Sequence, residues 1–227
     1  GVYARYVTAC TVRRVVTERF LRRDGLRPPM NVLVVGAGAM GRWFARSIRD
    51  HASVAFTDPD PAVARAAATE IDGRSVPTDT DERFDLVCIA VPMPAATVAI
   101  EQYGPLATDA VVDVTGSMAE PIAAMRDAVP DAGRMSLHPL FAPENAPGNV
   151  AVVADAATTS TERVLETLRE AGNACFETTP AEHDDAMETV QAGAHAAILA
   201  FALAAESVPD EFQTPVSAGL FDLVDLV

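Results

Sequence analysis

Residues 31–41 carry the clearest chemical signal in the chain. They read NVLVVGAGAMG, a run of β-branched residues followed by a Gly-x-Gly-x-x-Gly spacing. In such a turn the first glycine permits a tight bend, the second lets the backbone approach a pyrophosphate, and the third allows close helix packing. The pattern predicts a dinucleotide-binding turn after a strand. The residues expected to contact the cofactor here are Gly36, Gly38, Ala39, Met40 and Gly41.

A carboxylate follows the next expected strand. Asp58 could accept hydrogen bonds from both ribose hydroxyls and repel a 2′-phosphate, which favours NAD over NADP. Asp58 also fits a helix N-cap, a role compatible with cofactor binding. Val91 and Pro92, at the end of a later strand, should face the same crevice, because ligands bind beyond the carboxyl ends of parallel strands.

His138 is the candidate general base. It ends an expected strand and is followed by prolines that stiffen the loop, in the segment HPLFAP at 138–143. A histidine beside the nicotinamide could take a proton from a substrate hydroxyl, because its ordinary pKa is near neutral. On spacing alone, a structural histidine fits this position equally well. The chain has three other histidines, of which His51 is expected on the surface.

The segment at 138–143 resembles the His-Pro-Met-Phe-Gly-Pro motif of prephenate dehydrogenases. Residues 180–184, PAEHD, look like that family's Glu-His-Asp helix start, and residues 190–195, VQAGAH, are similar to its Gln-Ala-x-x-His segment. With the glycine turn, the resemblance extends from Met30 to about Glu206 in the family's order. The acidic, lysine-free composition further suggests a haloarchaeal type.

The resemblance implies a Rossmann domain and a helical dimerisation domain in a homodimer. It also implies NAD-dependent oxidative decarboxylation of prephenate to 4-hydroxyphenylpyruvate, with His138 as base and Gln191, His195 and His183 lining the substrate pocket. From the residues alone, His183 fits a helix start and His195 a buried core position. Arogenate could replace prephenate, and a module that senses NAD without turnover is the alternative from another class.

Two departures from the family pattern matter. Where the family often reads Asp-x-x-Ser-Val-Lys, this chain has Gly116 at the serine position and Ser117 one residue later. Ser117 is therefore the candidate second catalytic residue, or else the N-cap of the next helix. The family also holds a substrate carboxylate with an arginine of its C-terminal domain. No arginine follows Arg169 here, so we expect that the cation lies beyond Val227, that another group supplies it, or that activity is impaired.

From Met30 onward, β-branched runs alternate with alanine-rich stretches at helical spacing. This alternation predicts an α/β fold of Rossmann type, doubly wound, with a mainly parallel sheet and a C-terminal helical segment. Expected strands are 31–35, 53–57, 85–91, 110–114, 134–137, 150–153 and 174–177. Expected helices are 39–50, 60–70, 94–102, 119–128, 161–171 and 181–206, the last apolar enough to be buried in a second domain or against a second subunit.

These elements predict three regions. Residues 1–29 form an appendage, either a basic amphipathic helix around 7–23 or sequence upstream of a natural start at Met30, and the second is favoured. Residues 30–179 form the NAD-binding domain. Residues 180–227 form a helical substrate and dimerisation domain that we expect to be truncated, because its amphipathic pattern stops without a cap.

Charge and cysteine usage exclude several function classes. All 17 basic residues are arginines, and from Met30 onward ten of them stand against thirty acids, which disfavours nucleic-acid binding. Three scattered cysteines support neither a disulfide framework nor a metal site, and Cys88 lies in an apolar run. No long apolar segment or signal peptide is found, so we expect a cytoplasmic protein with a small-molecule substrate and no membrane partner.

The acidic composition predicts that the fold depends on salt. Self-repulsion among the carboxylates should be screened at molar salt and should lower the melting temperature when salt is dialysed away. Thermal unfolding followed across a salt series checks this. A melting temperature that does not change with salt would instead indicate an ordinary acidic protein from a GC-rich genome.

Overall fold

The computed structural model describes residues 28–205 and 214–224. The expected appendage at 1–29 therefore lies outside the described residues except for its last two. The strands are β1 Met30–Val35, β2 Ala52–Thr57, β3 Arg74–Ser75, β4 Phe84–Ile89, β5 Ala107–Asp113, β6 Gly133–Pro139, β7 Asn149–Ala156 and β8 Ala174–Glu177. The α-helices are α1 Ala39–Ile48, α2 Pro61–Glu70, α3 Ala96–Tyr103, α4 Ala119–Ala128, α5 Thr159–Glu170, α6 Pro180–Met187, α7 Gly193–Ala205 and α8 Pro215–Val224.

The eight strands form one sheet in the order β3-β2-β1-β4-β5-β6-β7-β8. From β1 the chain winds outward through β2 and β3, then returns to β4 and winds the other way. All neighbouring strands are parallel except β6 and β7. The predicted doubly wound, mainly parallel Rossmann-type fold is therefore confirmed, with a switch of winding direction between β1 and β4, where such sheets bind ligands.

Two features of the sheet differ from expectation. The two-residue strand β3 was not predicted, because it is too short to give a hydrophobic period. The expected strand at 150–153 is present as β7, but it runs antiparallel to β6. The connection at 140–148 holds only a single 3₁₀ turn, whereas a parallel return needs a crossover of a dozen residues or more.

Helices cover both faces of the sheet and bury its central strands. On β1, Val32 and Val34 pack in a core with Phe44 of α1, while Leu33 packs on the other face with Ile100 of α3. All five side chains are fully buried. Near-continuous apolar strands of this kind are typical of parallel sheets covered on both sides. Cys88 is buried in β4, as the apolar run predicted.

The expected single helix at 181–206 is divided into three parts. It consists of α6, a π-helical turn at Glu188–Ala192, and α7. Within the described chain α7 is not buried as predicted, since the exposed fractions of Leu199 and Leu203 are 52% and 76%. Burial of α7 in a helical second domain or against a second subunit therefore stays a prediction. No helix in the described ranges is long and apolar enough to span a bilayer.

Candidate active site

The carboxyl ends of the parallel strands bring the predicted site residues to one edge of the sheet. Backbone hydrogen bonds continue past the strand ends and hold the loops in register. Ala90 N–H donates to Val35 O at 2.8 Å, and Val114 N–H donates to Ile89 O at 3.0 Å. The half-buried Val91 and the exposed Pro92 follow Ala90 directly, so the loop after β4 lies beside the glycine turn as expected.

The glycine turn has open space at Gly38 and no space for a side chain at Gly36 or Gly41. Gly36 has φ +96°, and a Cβ atom there would lie 2.4 Å from Ala90 O. A Cβ on Gly41 would lie 2.0 Å from Gly36 O, whereas one on Gly38 would meet nothing within 4 Å. Helix α1 begins at Ala39 without a side-chain cap. Its N-terminal N–H groups can therefore be capped by a phosphate, and the residues present fit a dinucleotide.

Asp58 lies against this turn, directly after β2. Its Oδ2 accepts a hydrogen bond from Ala37 N–H at 2.9 Å, and its Oδ1 accepts one from Asp60 N–H at 3.0 Å. The alternative N-cap role is wrong for Asp58, because the N-cap of α2 is Asp60, which accepts from Ala62 N–H. Each Asp58 oxygen keeps a further lone pair that a ribose hydroxyl could use.

His138 is the penultimate residue of β6, and its two ring nitrogens have different surroundings. Nδ1 is 2.8 Å from Nε2 of His183, which comes from α6. Nε2 faces the loop after β5, since a Cβ on Gly116 would lie only 3.3 Å from it. Gly116 has φ +98°, so glycine suits this position and backbone alone approaches Nε2 from that side.

His183 and Asp184 continue the chain of hydrogen bonds away from His138. Nδ1 of His183 is 2.8 Å from Oδ1 of Asp184. Asp184 accepts from Met118 N–H at 3.1 Å and from Ala119 N–H at 3.0 Å. Asp184 therefore caps the N-terminus of α4, where the helix dipole also favours a negative charge.

Burial and these contacts change the ionisation of the group. Burial, reinforced by repulsion from His183, lowers the pKa of His138 to about 4, although Asp184 acts in the opposite direction. Burial opposes ionisation of Asp184, but hydrogen bonds from His183, Ala119 and Met118 outweigh it and keep its pKa below the usual range. At neutral pH the site therefore holds a neutral His138 and an ionised Asp184.

Asp113, at the end of β5, is a buried carboxyl group that the sequence did not single out. Its Oδ1 accepts hydrogen bonds from Thr115 N–H at 3.1 Å and from Thr115 Oγ1 at 2.8 Å. These bonds fix the loop that places Gly116 against His138. Burial raises the pKa of Asp113 to about 7, against the effect of hydrogen bonds from neighbouring donors. An acid within an apolar strand, two residues before a threonine, was the available signal.

Other predicted residues have mixed outcomes. The alternative N-cap role of Ser117 is wrong, because the N-cap of α4 is Met118 and Asp184 supplies the capping oxygens. The carbonyl of Ser117 accepts a long hydrogen bond from Thr115 Oγ1 at 3.5 Å. The side chains of Gln191 and His195 lie outside the described residues. Among the described residues, no cluster of His, Cys, Asp or Glu side chains could hold a metal ion.

His183 is not placed as a pocket-lining residue. The exposed fraction of His183 is 4%, and both of its ring nitrogens lie within hydrogen-bond distance of protein atoms. His183 therefore has no free polar atom to offer a substrate, so the substrate contact implied by the resemblance is not supported.

His51, by contrast, is only partly buried, and its Nε2 lies 3.9 Å from a Glu170 carboxylate oxygen.

Comparison with known proteins gives one sequence relative and many similar folds. A 4-amino-4-deoxyprephenate dehydrogenase of Streptomyces pristinaespiralis is 33% identical over 189 residues, which are 76% of this chain and 62% of that protein. The chain thus spans less than two thirds of that relative's length. No protein-family model matches the chain. By sequence, the chain is therefore similar to part of a dehydrogenase that is named for a prephenate derivative.

Solved structures agree with that similarity at the level of the fold. A prephenate dehydrogenase of A. aeolicus, solved with hydroxyphenyl propionate and NAD⁺, is similar over 84% of this chain and 72% of its own, with TM-score 0.66 and 18% identity. A pyrroline-5-carboxylate reductase of Coxiella burnetii matches 87% of this chain and 77% of its own, with TM-score 0.59 and 12% identity. The Rossmann-type architecture is therefore shared with several dehydrogenases and reductases.

The glycine turn predicts opposite behaviour for two alanine substitutions. Gly41→Ala should lower the free energy of unfolding by about 1–3 kcal/mol, because its Cβ would collide with Gly36 O. Gly38→Ala should change stability by less than about 1 kcal/mol and weaken NAD binding at least about tenfold, because the added methyl group would occupy the phosphate position. Denaturant unfolding and NAD titration measure both effects. Equal effects of the two changes would contradict the assignment of the turn.

Proposed function

We propose that this chain is an NAD-dependent dehydrogenase that converts prephenate to 4-hydroxyphenylpyruvate by oxidative decarboxylation. The observation that carries the proposal is the neutral imidazole of His138, whose Nε2 faces a loop at the sheet edge where the glycine turn also opens. The sequence relative, which acts on a 4-amino analogue according to its name, supports the same substrate class.

The glycine turn and Asp58 would hold NAD. Backbone N–H groups at the start of α1 would bind the pyrophosphate, and the Asp58 carboxylate would accept hydrogen bonds from the ribose hydroxyls. Val91 and Pro92 would line the crevice on the β4 side. When bound, NAD supplies the acceptor for the hydride that leaves C4 of the substrate.

His138 would be the catalytic base. Its Nε2 accepts the proton of the C4 hydroxyl, and its lowered pKa keeps this nitrogen unprotonated at neutral pH. Departure of the ring carboxylate as CO₂ leaves its bonding electrons in the ring and restores aromaticity, and the phenolate oxygen then takes the proton back from His138. The protein therefore has to supply chiefly alignment and a base. Ser117 stays a second candidate near the hydroxyl, and Gln191 and His195 would contact the substrate from the C-terminal region.

The proposal includes the setting in which the enzyme works. The exposed apolar side chains of α7, among them Leu199 and Leu203, support a homodimer whose partner covers this helix in the region 180–227. The excess of acids over arginines supports a haloarchaeal type in a salt-rich cytoplasm. The NAD-binding domain would occupy residues 30–179.

A second substrate has a specific observation in its favour. Gly116 replaces the serine that, in the family, touches the substrate hydroxyl, so no side-chain hydroxyl is present at this position beside Nε2 of His138. A 4-amino group could donate an N–H to Nε2 without that serine. The named substrate of the Streptomyces relative carries such an amine. Arogenate, whose side chain carries an ammonium group, is the other variant and would need less positive charge from the protein.

Removing the base should slow turnover strongly. His138→Asn should lower kcat about 10²–10⁴-fold, because asparagine cannot accept the proton that Nε2 of His138 takes from the substrate. The assay follows NADH absorbance with prephenate and NAD in high salt. In the unmodified protein kcat/KM should stay high down to about pH 5, since the pKa of His138 is lowered to about 4 and its base form is lost only below that value.

His51→Asn serves as the control, because His51 lies away from this edge. A fall of kcat/KM centred near pH 6.5, the ordinary histidine value, would contradict a buried neutral base. NAD binding without turnover of any of the three substrates would favour the sensor module.

The substrates themselves provide the next prediction. If Gly116 adapts the site to an amine, kcat/KM for 4-amino-4-deoxyprephenate should exceed that for prephenate by about tenfold or more, a difference of about 1.4 kcal/mol. Parallel assays with prephenate, arogenate and the 4-amino compound at one salt concentration measure the ranking. A preference for prephenate would remove the second candidate and leave the first unchanged.

A further inference from the structure

We infer that Asp184 and His183 are positioning residues that determine which ring nitrogen of His138 carries the proton. This inference rests on the proposed function, because it concerns the base used in that reaction. Its structural content is a directed chain of hydrogen bonds that runs from the N-terminus of α4 through α6 to the imidazole on β6.

The direction of the chain follows from donor and acceptor counting. Met118 N–H and Ala119 N–H can only donate, so both oxygens of Asp184 act as acceptors and the carboxylate is ionised. An ionised Asp184 also accepts from His183, so Nδ1 of His183 carries its proton. The inference takes His183 in its neutral form, which has one N–H, so that its Nε2 acts as the acceptor.

The last step concerns His138. Its Nδ1 lies 2.8 Å from that acceptor, so Nδ1 carries the proton and donates. Nε2 of His138 is then left with a free lone pair, on the side that faces the loop at Gly116. The tautomer that a general base needs is therefore selected by a carboxylate two residues removed along the hydrogen-bond chain.

The same chain stabilises the product of proton transfer. When Nε2 of His138 accepts a proton, the ring becomes cationic, and its Nδ1–H remains directed at His183 and the negative charge of Asp184. His183, which lies between the two groups, is buried, so the attraction is screened less than it would be in water. A carboxylate that orients a catalytic histidine in this way is familiar from the Ser-His-Asp triad, here with a second imidazole inserted.

The arrangement also links the two regions of the protein. His183 and Asp184 lie on α6, in the region assigned to the substrate domain, whereas His138 and the capped helix α4 belong to the NAD-binding region. The base is thus in its active tautomer only when α6 is seated on α4.

The experiment uses ¹⁵N-histidine NMR on the whole chain, in which only four histidines contribute signals. Unmodified protein should show His138 protonated at Nδ1 and unprotonated at Nε2. In Asp184→Asn one carboxylate oxygen is replaced by an amide NH₂ group. If this group faces His183, it donates where an oxygen accepted before, and if it faces α4, a backbone N–H loses its acceptor. The chain should then reverse or break, and kcat should fall about 10²–10⁴-fold. Asp185→Asn, the same change at an exposed neighbouring position on α6, should leave both readouts within about twofold.

A second pair of variants decides the matter if Asp184→Asn unfolds α4. His183→Gln keeps an acceptor for His138 Nδ1–H, whereas His183→Leu removes it, so the first should retain the tautomer and the larger share of kcat. A protonated Nε2 in the unmodified protein, or equal results for Gln and Leu, would overturn the inference. The expected NMR pattern without turnover would instead overturn the proposed reaction and leave the proton arrangement standing.

Discussion

The parallel register of β1, β4, β5 and β6 is the constraint on which the site depends. Because these strands run the same way, their carboxyl ends lie at one edge, and residues far apart in sequence become neighbours there. The close backbone approach of Gly36 to Ala90 keeps β1 and β4 tightly paired beyond their last residues. A side chain at Gly36 would push the two loops apart at the point where the dinucleotide turn begins.

Much of this arrangement could be predicted from sequence, because it depends on local patterns. The strands of the sheet centre bury both faces and read as continuous β-branched runs, and Gly36, Gly38 and Gly41 have spacing with a direct steric reason. The expected strand and helix positions from Met30 to Met187 agree with the structure to within a few residues. His138 could be placed at the edge because it ends a strand that follows the same alternation.

The remaining features depend on contacts between distant segments, which no local pattern encodes. The pairing of His138 with His183 joins residues 45 positions apart, and the capping of Met118 by Asp184 joins residues 66 apart. From the sequence, Glu182 and Thr179 form an ordinary capping box at the start of α6, and this local role hides the long-range role of the next two residues. The antiparallel direction of β7 and the exposure of α7 likewise depend on which distant segments these elements pack against.

The electrostatics of the edge follow from where its charges can be satisfied. Asp184 stays ionised because a helix N-terminus and an imidazole surround it, whereas Asp113, more deeply buried and held by one threonine, has a pKa of about 7. His138 remains neutral, because burial and His183 outweigh the attraction of Asp184. A neutral imidazole whose Nδ1 is hydrogen-bonded to a partner is a better proton acceptor at Nε2 than a solvated histidine. Its orientation and tautomer are already fixed before each turnover, whereas a solvated ring must adopt them each time. Exposed carboxylates on the surface are screened by dissolved ions, whereas the pair formed by His138 and the buried His183 is screened much less.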